Sequence, residues 1–112
     1  VNLSHVSTFK SSGVIKCLLV SSKAHLWCSC TSSVLRFSVA STFTLIGTNR
    51  STNNVNTMLE CEGYVFCASS TGFIYQFDLD GSLLRQWNAS GNAIRKEINC
   101  LATWNNYLLS GH

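Results

Sequence analysis

Asp78 closes the stretch CASSTGFIYQFDLDG, Cys67 to Gly81, and is one of only five acidic residues in a chain of 112; the others are Glu60, Glu62, Asp80 and Glu97. General acid–base chemistry needs such a group set beside a second acid or a histidine within hydrogen-bond reach. The histidines are His5, His25 and His112, and none stands in a nucleophile motif or in H-E-x-x-H. No Gly-rich phosphate loop occurs, and no paired-acid motif. His25, alone at the start of an apolar segment, reads as a polar strand residue. These residues predict a non-catalytic chain and imply no cofactor.

The six cysteines, Cys17, Cys28, Cys30, Cys61, Cys67 and Cys100, offer a second chemistry. A zinc site wants C-x2-C pairs or a Cys and His cluster. Cys28 and Cys30 are instead separated by one residue, which on a strand puts both side chains on one face. Most of the six fall inside apolar segments, where a free thiol behaves as a small hydrophobe. Packing is the expectation, with reduced thiols and an intracellular, cytoplasmic setting. The oxidised alternative draws on three glycosylation sequons, at Asn2, Asn49 and Asn88.

The elements that must carry these residues are short. Hydrophobic residues make up 46% of the chain and charged residues 12%, about half the charge of an average soluble domain, so much of the surface must be covered. The eight Lys and Arg give a net charge of +3 without a basic cluster, which speaks against a nucleic-acid partner. No apolar run approaches the roughly 18 residues of a membrane span, and VNLSHVSTFKSSG lacks the apolar centre of a signal peptide. Val1 at the start reads as a piece of a longer chain.

Apolar segments recur every eight to twelve residues: 14–20, 25–30, 34–39, 43–46, 55–61, 64–69, 73–79, 82–87, 98–104 and 107–110. That spacing, with β-branched and aromatic residues between Ser, Thr, Asn and Gly, predicts strands throughout. The absence of proline removes any forced break, and NASGNAIRKE is Gly-interrupted and too short to show a helical pattern. The fold class is therefore all-β.

The strands repeat. A shift of 43 residues lays Val55–Ser69 over Ile98–His112 without a gap, matching Asn56 with Asn99 and Tyr64 with Tyr107. A shift of about 40, with one residue inserted, lays Leu26, Trp27 and Cys28 over Val65, Phe66 and Cys67. Units of about 40 to 45 residues with four strands each have the period of a β-propeller. The expected organisation is 1–13 as the end of a preceding unit or a linker, then 14–54, 55–97 and 98–112.

Within the second unit the residues resemble a family. CASSTGFIYQFD is similar to the WD40 repeat, with Ala68 and Ser69 at the small positions, Gly72 at the turn, Ile74 at the buried position and Phe77-Asp78 at the Trp-Asp pair. In this comparison Asp78 ends a strand, and Asp80-Gly81 supplies the positive φ of the next turn. LATWNNYLLSGH resembles the start of a further unit. Thr71 and Ser32 stand where the family carries Asp, Ser38-Val39 where it carries Trp-Asp, and no Gly-His precedes a first strand. The resemblance implies consecutive four-stranded antiparallel blades of a divergent, partial WD40-like propeller. Cys17, Trp27, Tyr64 and Cys67 also resemble an immunoglobulin sandwich, although Tyr64 lies three residues before Cys67 rather than two and the 50-residue separation is short.

What the propeller resemblance implies is a scaffold for protein or peptide partners, acidic or phosphorylated ones included, completed by the remainder of the propeller. Function on such a scaffold resides in loops. The connections 48–54 and 88–97 would place Arg50, Arg95 and Lys96 at the same end of neighbouring blades, suited to an acidic group. Trp104, beside the tight Asn-Asn turn, is a candidate aromatic anchor. The alternative function is that of a secreted, disulfide-bonded immunoglobulin-like recognition domain.

Overall fold

The computed structural model describes residues 14–40, 43–89, 97–105 and 107–111, and every element in them is a β-strand. A first sheet holds β1 (Cys17–Val20), β2 (His25–Ser29), β3 (Val34–Ser38) and β4 (Thr44–Asn49) in sequential antiparallel order. A second holds β5 (Val55–Cys61), β6 (Tyr64–Ser69), β7 (Phe73–Asp78) and β8 (Leu83–Asn88) in the same order. A third consists of β9 (Cys100–Trp104) and β10 (Tyr107–Gly111). The chain is all-β and no sheet closes into a barrel. The up-and-down strand order also differs from the Greek-key connections of an immunoglobulin sandwich.

Pairing registers give the repeat a structural meaning. Phe37 pairs with Leu26 and Leu45 around a bulge at Arg36/Phe37, and Phe77 pairs with Val65 and Leu83 around a bulge at Gln76/Phe77. Leu26, Trp27 and Cys28 thereby occupy the places of Val65, Phe66 and Cys67, as the sequence alignment has them. The same bulges correct one assignment. Phe37-Ser38, not Ser38-Val39, stands opposite Phe77-Asp78, because register is set by the ladder and not by counting from the preceding turn. The inserted residue lies in the first turn: Ser21–Ala24 joins β1 to β2, closed by Ser21 N–H donating to the His25 carbonyl at 2.9 Å. In the second sheet Glu62 (φ 52°) and Gly63 (φ 84°) suffice, the left-handed pair of a type I′ hairpin. The 43-residue echo holds equally, since Cys61 pairs with Tyr64 as Trp104 pairs with Tyr107.

Alternation along each strand then decides which side chains meet. Trp27 and Val34 of the first sheet are buried with Val65, Cys67, Tyr75 and Phe77 of the second. Trp27 and Phe77 meet edge to face at 5.4 Å and 64°, a favoured aromatic geometry. The opposite face of the second sheet, with Ala68, Ile74, Phe66 and Trp87, packs on Ile98, Leu101 and Leu108. β1 lies against β5 and β5 against β9, so the three sheets succeed one another with their first strands side by side. Polar ties fix this order. Ser29 Oγ donates to the Val55 carbonyl at 2.9 Å, Ser22 N–H and Oγ both reach the Glu60 carboxylate, and Lys23 pairs with Asp80.

Candidate functional site

Consecutive antiparallel strands put the links of the chain at two ends. The turns β1–β2, β3–β4, β5–β6, β7–β8 and β9–β10 gather at one, the hairpin end. The turns β2–β3 and β6–β7, the crossover β4 to β5, the end of β8 and the start of β9 gather at the other. Asn54 N–H donates to the Thr31 carbonyl at 2.8 Å and Ser70 N–H to the Asn54 carbonyl at 2.9 Å, tying the crossover end of the first two sheets together.

Arg50 is exposed at this crossover end, beside an Asx turn in which Asn49 Oδ1 accepts from Ser51 N–H at 2.9 Å. Arg95 and Lys96 lie outside the described residues, so a basic rim of three is placed only as far as Arg50. Trp104 ends β9 at the hairpin end, before Asn105 at φ 45°. The sequence-derived residues Arg50 and Trp104 therefore stand at opposite ends of the fold.

Trp104 does not stand alone. It pairs directly with Tyr107, and Ala102 with Leu109, so these four side chains share the face of the third sheet that turns away from the second. Trp104 and Tyr107 are each 65% exposed and Leu109 49%. Their counterparts in the second sheet are Cys61, Tyr64 and Phe66, which the third sheet partly covers. Between the two sheets lies a cavity of about 250 Å³ whose lining includes Cys61, Tyr64, Phe66, Thr103 and Leu108, and Tyr107, though largely exposed, also borders it. Tyr64 and Phe66, two residues apart on β6, meet edge to face at 6.4 Å on one wall of it. At the far side of the molecule the first sheet likewise turns an apolar face outward, with Leu18 57% and Val20 63% exposed beside the cluster of Cys28, Cys30 and Phe37. Sequence patterning marked Trp104 but missed Tyr107 and Leu109, since alternation cannot say which face a neighbour will cover.

The Asp78 carboxylate is structural. Its Oδ1 accepts from Asp80 N–H at 3.0 Å and Ser82 N–H at 2.9 Å, and Gly81 takes φ 90° inside that turn. Ser69 has a similar role in the preceding turn: its Oγ meets Thr71 Oγ1 at 2.8 Å and accepts from Phe73 N–H at 3.1 Å. A hydroxyl turn thus occupies the place where the sequence carries Thr71. Comparison with protein-family models and with curated proteins finds no match for this chain.

All six cysteines are free thiols, three of them buried. Burial pushes the Cys67 thiol well up, with the nearby Cys17 adding to it. Burial pushes Cys28 up to about 12, reinforced by Cys30. Cys17 is raised for the same reason, against the opposing effect of its contact with Ser29 Oγ. A thiol held protonated is a poor nucleophile and a poor metal ligand. Among the described residues, no group of three or more His, Cys, Asp or Glu gathers as a metal site.

Proposed function

We propose that the chain is a non-catalytic interaction scaffold, a segment of a divergent WD40-like propeller within a larger protein or complex. The observation that carries this reading is the exposed face of Trp104, Tyr107 and Leu109 on a sheet that repeats the register of the one before it. Each internal interface joins one face of a sheet to the opposite face of the next, a head-to-tail arrangement that leaves two open faces until a ring closes. Apolar faces of this kind mark interaction sites. A further sheet of the same type, the remainder of the propeller, is the occupant that fits the third sheet. Arg50 at the crossover end supports a role for that end with protein or peptide partners bearing acidic or phosphorylated groups. Uncrosslinked thiols within the apolar interiors agree with a reducing, cytoplasmic setting.

Light scattering on the eluting peak of a gel-filtration column tests the scaffold reading. The 112-residue chain is expected to elute above its 12.3 kDa monomer mass in a concentration-dependent way. Trp104→Ser with Tyr107→Ser should shift it toward the monomer with an unchanged far-ultraviolet spectrum. A wild-type chain that stays monomeric, soluble and folded at high concentration would contradict the reading.

A further inference from the structure

On the outer rim between the first two sheets lies a separate cavity of about 100 Å³, and the side chains of Arg36, Trp27, Thr48 and Asn49 bring donors to its lining. Its floor is Arg36, in the middle of β3, whose guanidinium carbon lies 5.9 Å from the centre of the Trp27 ring. Two backbones close in on that guanidinium. A Cβ placed on Gly47 would come within 2.7 Å of Arg36 Nη2, and one placed on Gly81 within 2.7 Å of Nε. The guanidinium thus fills the space that two glycines on different sheets leave beside their backbones.

The charge so held has no hydrogen-bond acceptor among the described residues. Among the described residues Arg36 has no ion pair, and the carboxylate with which it interacts, Asp80, is exposed and engaged by Lys23. Trp27 is 1% exposed, lines the same cavity, and its indole Nε1–H has no partner. A buried donor left unpaired is destabilising, so a group that accepts from it is favoured there. Asn49 and Thr48 complete the lining. The Asn49 carbonyl oxygen is taken by Ser51 N–H, which leaves its amide NH₂ to donate.

We infer that this cavity binds a carboxylate group, taken up by the Arg36 guanidinium and the Trp27 indole N–H. One fixed cation matches a monoanion, and a planar guanidinium matches a planar carboxylate through paired hydrogen bonds. A phosphate dianion would be only half neutralised and would meet about twice the repulsion from Asp80 that a carboxylate meets. The space is several times what a single water needs, enough for a carboxylate entering from the rim. The group reaches the site either on an acidic side chain of a peptide or on a small free acid. This site uses neither of the open terminal faces, so it stands or falls apart from the scaffold reading.

Nitrogen-15 NMR of the three tryptophan indole N–H signals, titrated with sodium acetate against sodium chloride at equal ionic strength, reads the site directly. The Trp27 signal should move saturably with acetate and not with chloride, while Trp87 and Trp104 stay still. Arg36→Gln should weaken the response at least tenfold, and Arg36→Lys should retain some of it. Gly47→Ala keeps the charge but sets a methyl against the guanidinium, and should weaken binding too, which keeps the inference testable should Arg36→Gln unfold. A glutamate-rich hexapeptide that competes at a lower concentration than acetate assigns the peptide source; acetate binding without peptide binding assigns the free acid. An equal response to chloride, a wild-type response in Arg36→Gln, or an indole that exchanges with a bound water and ignores acetate would overturn the inference. A silent titration leaves self-association through Trp104 and Tyr107 untouched.

Discussion

Replacing Phe77 by alanine measures how strongly the first two sheets depend on each other. Phe77 is fully buried and meets Trp27, itself 1% exposed, across the interface. Truncating a buried phenylalanine removes its transfer free energy and leaves a cavity, typically about 3–5 kcal/mol together. The edge-to-face contact adds roughly 0.5–1.5 kcal/mol of coupling beyond area. Against a typical domain stability of about 5–15 kcal/mol, the loss would run from about a fifth of the total to all of it. Urea unfolding followed by far-ultraviolet circular dichroism and by tryptophan fluorescence gives the value, and a double-mutant cycle of Phe77→Ala with Trp27→Leu gives the coupling. Leu84→Ala, on the outer strand and 50% exposed, should by contrast change stability by less than about 1 kcal/mol. A loss at Phe77 no larger than at Leu84, or no coupling to Trp27, would refute the stacked arrangement of the two sheets.

Alkylation of the native chain at pH 8 should modify exposed Cys100 first, with Cys28 and Cys67 reacting only on unfolding, when six thiols titrate. The raised thiols also fix a pH dependence. Cys17, Cys28 and Cys67 hold their protons in the folded state above the ordinary value of 9.0, so the unfolded chain releases protons first and stability falls as pH rises from about 9 toward 12. A urea midpoint at pH 10.5 equal to that at pH 8 would contradict this. Asn56 is the extra residue of a bulge in β5, and its Nδ2 donates to Glu97 Oε1 at 3.1 Å and to the Ile98 carbonyl at 3.3 Å. Asn56→Asp keeps the shape and inverts the polarity, and should cost about 1–2 kcal/mol at pH 7, with some of it regained at pH 3 where the new carboxyl is protonated.

The strands were legible because most of them carry their own evidence: apolar alternation bounded by Gly, Asn and Ser. Val55–Cys61 and Tyr64–Ser69 coincide with the sequence reading at both ends. β4 does not, running on through Gly47, Thr48 and Asn49. Those residues are not apolar, and they are strand only because Arg36, Leu35 and Val34 pair with them. β1 is shorter than its apolar run for the converse reason: the ladder begins at Cys17. The Tyr64 and Tyr107 match survived into the pairing because a two-residue hairpin fixes register locally. Arg36 was invisible as a site residue. No motif surrounds it, and its role comes from Gly47 on the neighbouring strand and Gly81 on another sheet, which only folding brings together. The surface of Trp104, Tyr107 and Leu109 was half legible, through one aromatic beside a turn.

The bulges of the outer ladders carry a consequence for solubility. Between Gly47 and Leu45, and again between Arg85 and Leu83, one residue of the last strand has no opposite number: Ile46 in the first sheet, Leu84 in the second. Each such kink breaks the flat row of amides that a foreign strand would need as a template, and turns a bulky side chain toward the newcomer. Ribbon-like growth along the rims is thereby discouraged in a chain otherwise rich in strand-forming sequence. Crowded copies would be steered toward face-on stacking, an ordered and saturable mode, and away from fibrils.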